Sequence, residues 1–278
     1  LVSFLVGAFR GKAWSYMKRN KGYFRRVLVG IGVALMLAVF IYAASQIIAY
    51  LRAENENRKL SEYLIDKAVQ ITPEATETSP ETTSEAQTPE TSPIEVDFEA
   101  LWQENEDIVA WIYCEDTPIH YPVVQSNDNS YYLRRLLNGD YNENGTIFLD
   151  YRCSSDFSDF NSVVYGHHMK SGAMFGTLPK YKDQEYYDKH PVMYLLTPDI
   201  TYKVELIAGY ITPSDSELYS LPKTPESKSA FLQHALQKST FTSSVTASET
   251  DSFITLSTCS YEYENARYVV IGRLVALD

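Results

Sequence analysis

The chain is poor in cysteine, with only Cys114, Cys153 and Cys259 among 278 residues and no C-x-x-C pair. That scarcity argues against a zinc ribbon or a thioredoxin-type redox motif, and an odd count cannot pair entirely within one chain. A Cys114–Cys153 bridge stays compatible with the sequence, but no disulfide framework is visible. Acidic residues are missing altogether from positions 1–51, which hold seven Lys/Arg and so carry +7, whereas the remainder carries −19. A basic start and an acidic remainder suggest two compartments. The acidic part lacks the clustered Lys/Arg that phosphate backbones require, which argues against nucleic acid as a partner. No internal repeat is present. At 45% apolar, with 22 Tyr and 12 Phe, the chain has enough large side chains for a sizeable core.

Charge is also missing from one long stretch. Residues 27–51, "VLVGIGVALMLAVFIYAASQIIAYL", are 25 consecutive uncharged positions. About 20 apolar residues at roughly 1.5 Å rise cross a bilayer core of about 30 Å. Tyr23, Phe24, Tyr42 and Tyr50 lie towards the ends of the run, as interfacial aromatics do. Lys18, Arg19, Lys21, Arg25 and Arg26 precede it, so the positive-inside rule puts the N-terminus in the cytoplasm and residues beyond 51 outside. The competing reading is a cleaved signal peptide with "YAAS" at the cleavage site. The run exceeds the roughly 7–15 residues of a signal h-region, which favours an uncleaved anchor.

Residues 52–70 predict a charged juxtamembrane helix, a solvated stalk with Leu60, Tyr63, Leu64 and Ala68 at helical spacing. Residues 71–95, "ITPEATETSPETTSEAQTPETSPIE", are almost entirely Thr, Ser, Pro, Glu, Ala and Gln. Such a segment buries too little apolar surface to offset its ordering entropy, so it predicts a disordered spacer that extends the domain's reach. Residues 96–278 are long enough for one globular domain. A helix containing Phe98, Leu101 and Trp102 opens it, and "SNDNSYYLRRLLNGD" predicts a capped helical turn. Strand patterns dominate thereafter: "GTIFLD", "NSVVYGH", "VMYLLTP", "TYKVELIAGYI", "DSFITLSTC" and "RYVVIGRLVAL". Turn signals between them suggest a mostly antiparallel barrel or sandwich. Residues 224–240 interrupt the strands with a helix, Thr at its N-cap and Pro at its first position.

Three residues stand out chemically. In "FITLSTC" the side chains alternate, so Phe253, Thr255, Ser257 and Cys259 share one face while Ile254, Leu256 and Thr258 share the other. Cys259 therefore ends a strand on its more polar face, where it is either a small buried hydrophobe or a nucleophile. His167 and His168 follow Gly166 at another strand end. Neighbouring histidines on a strand point opposite ways and rarely serve one site; alone, either is an ordinary surface or core residue. His120, His190 and His234 show no ligand spacing, so no metal is expected. Arg267 opens the last strand, either as a solvated charge or as a set of fixed donors aimed at the cysteine's site. Together, a thiolate, a histidine and a guanidinium suit acyl transfer.

"TLSTC" at 255–259, the arginine at the start of the next strand, and "YGHHM" at 165–169 closely resemble the sortases, cysteine transpeptidases of Gram-positive bacteria, in which His, Cys and Arg occur in this order. The resemblance covers roughly residues 98–278. The opening helix, the helix-bearing insertion at 214–240 and the "GHH" form point to class B. Class C enzymes usually carry a C-terminal membrane helix and an N-terminal lid, and class A enzymes lack the inserted helix. The resemblance implies an eight-stranded β-barrel with peripheral helices. It implies Cys259 as nucleophile, His167 as general acid/base and Arg267 as oxyanion stabiliser, with Tyr165, Ser257, Asn129 and Leu133 along a substrate groove and His168 outside the chemistry. The implied substrates are secreted proteins with an Asn/Ser-Pro-x-Thr sorting signal, the implied acceptor is a peptidoglycan amine, and no cofactor is needed. The rivals are a cysteine hydrolase and a tethered scaffold with a structural cysteine.

Overall fold

The computed structural model describes residues 21–72 and 91–277. The chain divides into two compact units, Leu1–Asn55 and Glu56–Asp278. In the first, helix α1 (Lys21–Ala68) carries the uncharged run. Its most apolar stretch has a mean hydropathy of 2.6, and its large apolar side chains, among them Leu35, Met36, Phe40 and Ile41, are exposed all around the helix. A helix apolar on every side needs an apolar surround. Among the described residues it is the one helix long and apolar enough to cross a membrane.

The second unit begins at Glu56, well before residue 96, and here the structure departs from a solvated stalk and a free spacer. Residues 56–68 of α1 pack against the unit's body. Leu64 and Ala68 are 1% and 3% exposed, in one cluster with Leu101, Ile108 and Trp111. Asn57 Nδ2 donates to the carbonyl of Gly145 at 3.0 Å. The Leu60, Leu64 and Ala68 stripe, at i, i+4, i+8, is the face that is covered. The helix stops at Ala68, and β1 (Val69–Ile71) pairs antiparallel with β2 (Ile94–Val96), aligning Val69 with Val96 and Ile71 with Ile94. Thr72 N donates to Pro93 O at 3.0 Å. The two ends of the Thr/Ser/Pro/Glu segment are thus held side by side. Its residues 73–90 lie outside the described residues.

The short helix α2 (Phe98–Trp102) is N-capped by Asp97, whose carboxylate accepts from Ala100 N at 3.0 Å. Then come β3 (Ile108–Tyr113), β4 (His120–Val124), β5 (Phe148–Leu149), β6 (Asn161–Tyr165), α3 (Gln184–Lys189), β7 (Val192–Leu196), β8 (Thr201–Pro213), α4 (Pro225–Lys238), β9 (Ser252–Cys259) and β10 (Ala266–Leu277). Eight strands close a barrel in the order β10-β8-β7-β3-β4-β5-β6-β9. β4–β5 and β6–β9 are parallel, and the other six pairs are antiparallel. The expected barrel with peripheral helices is the fold. Period-2 alternation fills its interior: Ile112, Val123, Val164, Leu195, Leu206, Ile254, Leu256 and Val270 are all fully buried. Each such side chain contributes about 1.5–3 kcal/mol, comparable to or larger than the roughly 1–2 kcal/mol needed to order one backbone unit.

Helix α4 is capped as its sequence suggests. Thr224 and Ser227 form a reciprocal capping box, with Pro225 at the first position. Phe231, Leu232 and Ala235 bury against Phe253, Val269 and Ile271, forming a second apolar layer outside the barrel wall. This layer covers much of the polar face of β9. Thr255 is fully buried and donates to Asn161 Oδ1 at 2.7 Å, and Ser257 is 2% exposed.

Candidate active site

Cys259 is the last residue of β9 and Arg267 lies directly opposite it on β10. Ser260 N donates to Ala266 O at 2.9 Å, which makes Cys259 and Arg267 a non-hydrogen-bonded antiparallel pair. In such a pair the Cα atoms are about 4.5 Å apart and the side chains stand on the same face. The thiol and the guanidinium are therefore neighbours by register. The guanidinium donates locally, from Nη1 to the Ala266 carbonyl at 3.0 Å. Both residues are half-buried.

The histidine turn is fastened to the same strand. β6 runs parallel to β9 with Tyr165 beside Ser257. Gly166 N donates to Ser257 O at 3.1 Å, and Thr258 Oγ1 donates to Gly166 O at 2.8 Å. A Cβ on Gly166 would come within 2.6 Å of the Phe175 ring, so only glycine allows this approach. Beyond it the two histidines part. His167 Nε2 lies 2.7 Å from the Leu133 carbonyl, whereas His168 Nδ1 lies 2.8 Å from the carbonyl of Cys259 itself.

One wall of the site comes from the insertion. Tyr219 stacks on Tyr165 with ring centres 6.0 Å apart, and its hydroxyl is 2.9 Å from Ser257 Oγ. Burial raises the Tyr219 phenol's pKa, against the Ser257 hydrogen bond and the positive charge of Arg267. Another wall centres on Asp150, whose side chain is wholly buried. Its carboxylate accepts from Tyr165 Oη at 2.9 Å, Asn129 Nδ2 at 3.0 Å, and Arg152 Nε and Nη2 at 2.9 and 2.7 Å. Burial alone would push this carboxyl up, but the Arg152, Tyr165 and Asn129 donors hold it below the ordinary carboxylate range. Asn129 Oδ1 also accepts from Tyr151 N at 3.1 Å, so both ends of its amide are engaged within the protein. Leu133 is 40% exposed.

Removing the buried acceptor leaves three donors unpaired. Asp150→Ala is expected to lower stability by about 3 kcal/mol, the lower end for a broken buried ion pair because Arg152 can rehydrate. That corresponds to a melting point lower by roughly 6–12 °C for a unit of this size. A carboxyl with a depressed folded pKa stabilises above its unfolded pKa, so the deficit should narrow as the pH falls below about 4. Thermal melts of both proteins across that range check it.

The loop after Cys259, residues 260–265, is pinned at Glu262, whose carboxylate accepts from Lys182 and from the Ser260 hydroxyl. Those two partners hold its pKa down to about 2. Tyr261 and Tyr263 remain exposed, with Tyr261 against the His168 ring at 5.1 Å. Cys114 and Cys153 are free and buried, with no bridge between them. Burial pushes both thiols up, that of Cys153 to about 11.

Cys259, Arg267, Ser257 and Tyr165 are thus brought together by strand register, with the His167 turn latched beside them. Tyr219, Asp150 and Arg152 were not singled out from the sequence. They meet the site only through pairings 15 to 38 residues apart, for which local patterning carries no signal.

A family model for the sortase domain matches residues 112–275, more than half of the chain. Sortase B of Listeria monocytogenes is 41% identical over 175 residues, which cover 62% of this chain and 71% of the relative. The chain is also similar to solved structures. Sortase B of Bacillus anthracis, in complex with AAEK1, superposes with a TM-score of 0.66 at 33% identity, covering 81% of this chain and 99% of that one. Staphylococcus aureus sortase B in its substrate complex gives 0.62 at 29% identity, covering 65% and 85%. The same S. aureus protein complexed with triglycine gives 0.61 at 30% identity, covering 65% and 86%.

Proposed function

This chain belongs to the sortase family as a class B cysteine transpeptidase, and from that premise we propose that Cys259, His167 and Arg267 carry out its acyl transfer. The observation that carries the assignment is the cross-strand pairing of Cys259 with Arg267 beside the latched His167 turn.

The Cys259 thiolate attacks the carbonyl carbon of the signal's threonine. The oxygen takes the electron pair and is stabilised by the Arg267 guanidinium, a contribution typically worth about 10²–10³ in rate. The C–N bond then breaks, and His167 delivers a proton to the departing amine, leaving a thioester on Cys259. An acceptor amine attacks the thioester carbonyl, His167 takes up its proton, and the thiolate is released. A carbonyl only accepts, so the Leu133 contact places the Nε2 hydrogen of His167 and leaves Nδ1 for the mobile proton.

The substrate is a secreted protein with an Asn/Ser-Pro-x-Thr sorting signal, bound along Tyr165, Ser257, Leu133 and Asn129 and against Tyr219. The acceptor is a peptidoglycan amine. Support comes from S. aureus sortase B, whose solved structures include a substrate complex and a triglycine complex. The apolar run at 27–51 anchors the enzyme in the cell membrane. The basic residues before it stay cytoplasmic, and the catalytic unit faces outside.

The test is direct. A fluorogenic peptide carrying Asn-Pro-x-Thr, mixed with an amine acceptor, should yield the Thr–amine product, and the scrambled peptide should yield none. Hydrolysis alone, at saturating amine, would point to a cysteine hydrolase instead.

A further inference from the structure

His168 is the one residue of the histidine turn whose side chain reaches the nucleophile's own backbone. The β6–β9 ladder ends at Tyr165 and Ser257, with one further bond from Gly166 N to Ser257 O. Cys259 lies beyond that end. Because Cys259 and Arg267 form a non-hydrogen-bonded pair, the peptide groups of Cys259 turn away from β10, towards the side where β6 has stopped. In a continuing parallel ladder the backbone N–H of residue 168 would bond this carbonyl. The chain has instead turned away, with His168 bridged to Met174 and Phe175 N donating to His167 O at 3.1 Å. The His168 imidazole supplies the missing donor, with Nδ1 2.8 Å from the oxygen, and Tyr261 packs against the other part of the ring at 5.1 Å.

Resting on the reading of Cys259 and His167 given above, we propose that His168 is a positioning residue: its Nδ1–H clips the Cys259 carbonyl to the His167 turn and fixes the separation of nucleophile and proton carrier. The carbonyl can only accept, so the bond requires hydrogen on Nδ1. Residue 168 is covalently adjacent to His167, and the accepting oxygen belongs to Cys259. The clip therefore spans the two reacting residues by the shortest covalent route available. Errors of about 1 Å in such a separation cost up to roughly 10²-fold in rate.

Two substitutions divide the side chain's properties. His168→Asn keeps an N–H donor at the δ position and removes the ring. His168→Phe keeps the ring against Tyr261 and removes the donor. The clip requires the Phe variant to lose roughly tenfold in kcat with KM little changed, and the Asn variant to stay within about threefold of the parent protein. Cys259 alkylation by iodoacetamide at neutral pH should follow the same order, and it reads Cys259 because Cys114 and Cys153 are buried with raised thiol pKa values. Melting curves establish that both variants are folded. If the Phe variant is normal and the Asn variant impaired, the ring's packing matters and the clip is wrong. If both are normal, the clip is likewise wrong. If both lose about 10³-fold with one limb of the pH–rate profile, His168 itself moves the proton, which overturns both the clip and the assignment of His167. Alkylation needs no peptide turnover, so its order tests the clip even if the transpeptidase assay fails.

Discussion

Cys259→Ala abolishes both cleavage of the sorting-signal peptide and transfer to the amine, a fall of roughly 10⁵–10⁶-fold, as for loss of the nucleophile in other acyl-transfer enzymes. No neighbouring group can take over. The Ser257 hydroxyl is 2.9 Å from that of Tyr219, Thr258 Oγ1 donates to Gly166 O, and the Ser260 hydroxyl donates to Glu262. The other two thiols are buried within the core. The truncation removes one atom from a half-buried strand end, so the fold should persist, with a melting point within a few degrees of the parent protein. Product quantified by chromatography over long incubations sets the lower limit of residual activity. Cys259→Ser should be almost as inactive, because the hydroxyl is ionised far less readily than the thiol.

His167→Ala gives the second largest loss, about 10³-fold in kcat, because departure of an amine requires a proton from a positioned acid. The loss should remove the limb of the pH–rate profile that reports this histidine, and binding of the peptide should change little. His168→Ala is expected to cost far less, about tenfold by loss of a positioning contact. The order matters more than either number: the two rings are covalent neighbours with different partners, the Leu133 carbonyl and the Cys259 carbonyl. A larger loss for His168→Ala would show that the wrong imidazole had been assigned the proton.

The pairing of Cys259 with Arg267 was legible before the structure, because strand alternation and an eight-residue spacing around a short loop constrain where both side chains stand. The barrel was legible for the same reason, since period-2 patterns in β6 to β10 each commit one face inward. What the sequence hid was tertiary. Leu60, Leu64 and Ala68 sit among so many charges that the helix reads as solvated, and only the cover given by Leu101, Ile108 and Trp111 shows otherwise. The spacer's composition says nothing of its ends, which β1 and β2 pair together. Asp150 ends a short strand as an ordinary acidic turn residue does. Its importance arises from four donors contributed by three separate residues, Asn129, Arg152 and Tyr165. Tyr219 is one tyrosine of 22, and its place beside Ser257 depends on how the insertion folds back on the barrel.

The thioester on Cys259 is the central claim, and intact-protein mass spectrometry reads it directly. The protein is incubated with an Asn-Pro-x-Thr peptide in the absence of amine, quenched in acid and digested. The expected result is an adduct equal to the peptide's acyl portion ending at threonine, confined to the Cys259 fragment and discharged by hydroxylamine or by an added amine acceptor. Turnover with Cys259 unmodified throughout, or an adduct on any other residue, would contradict it.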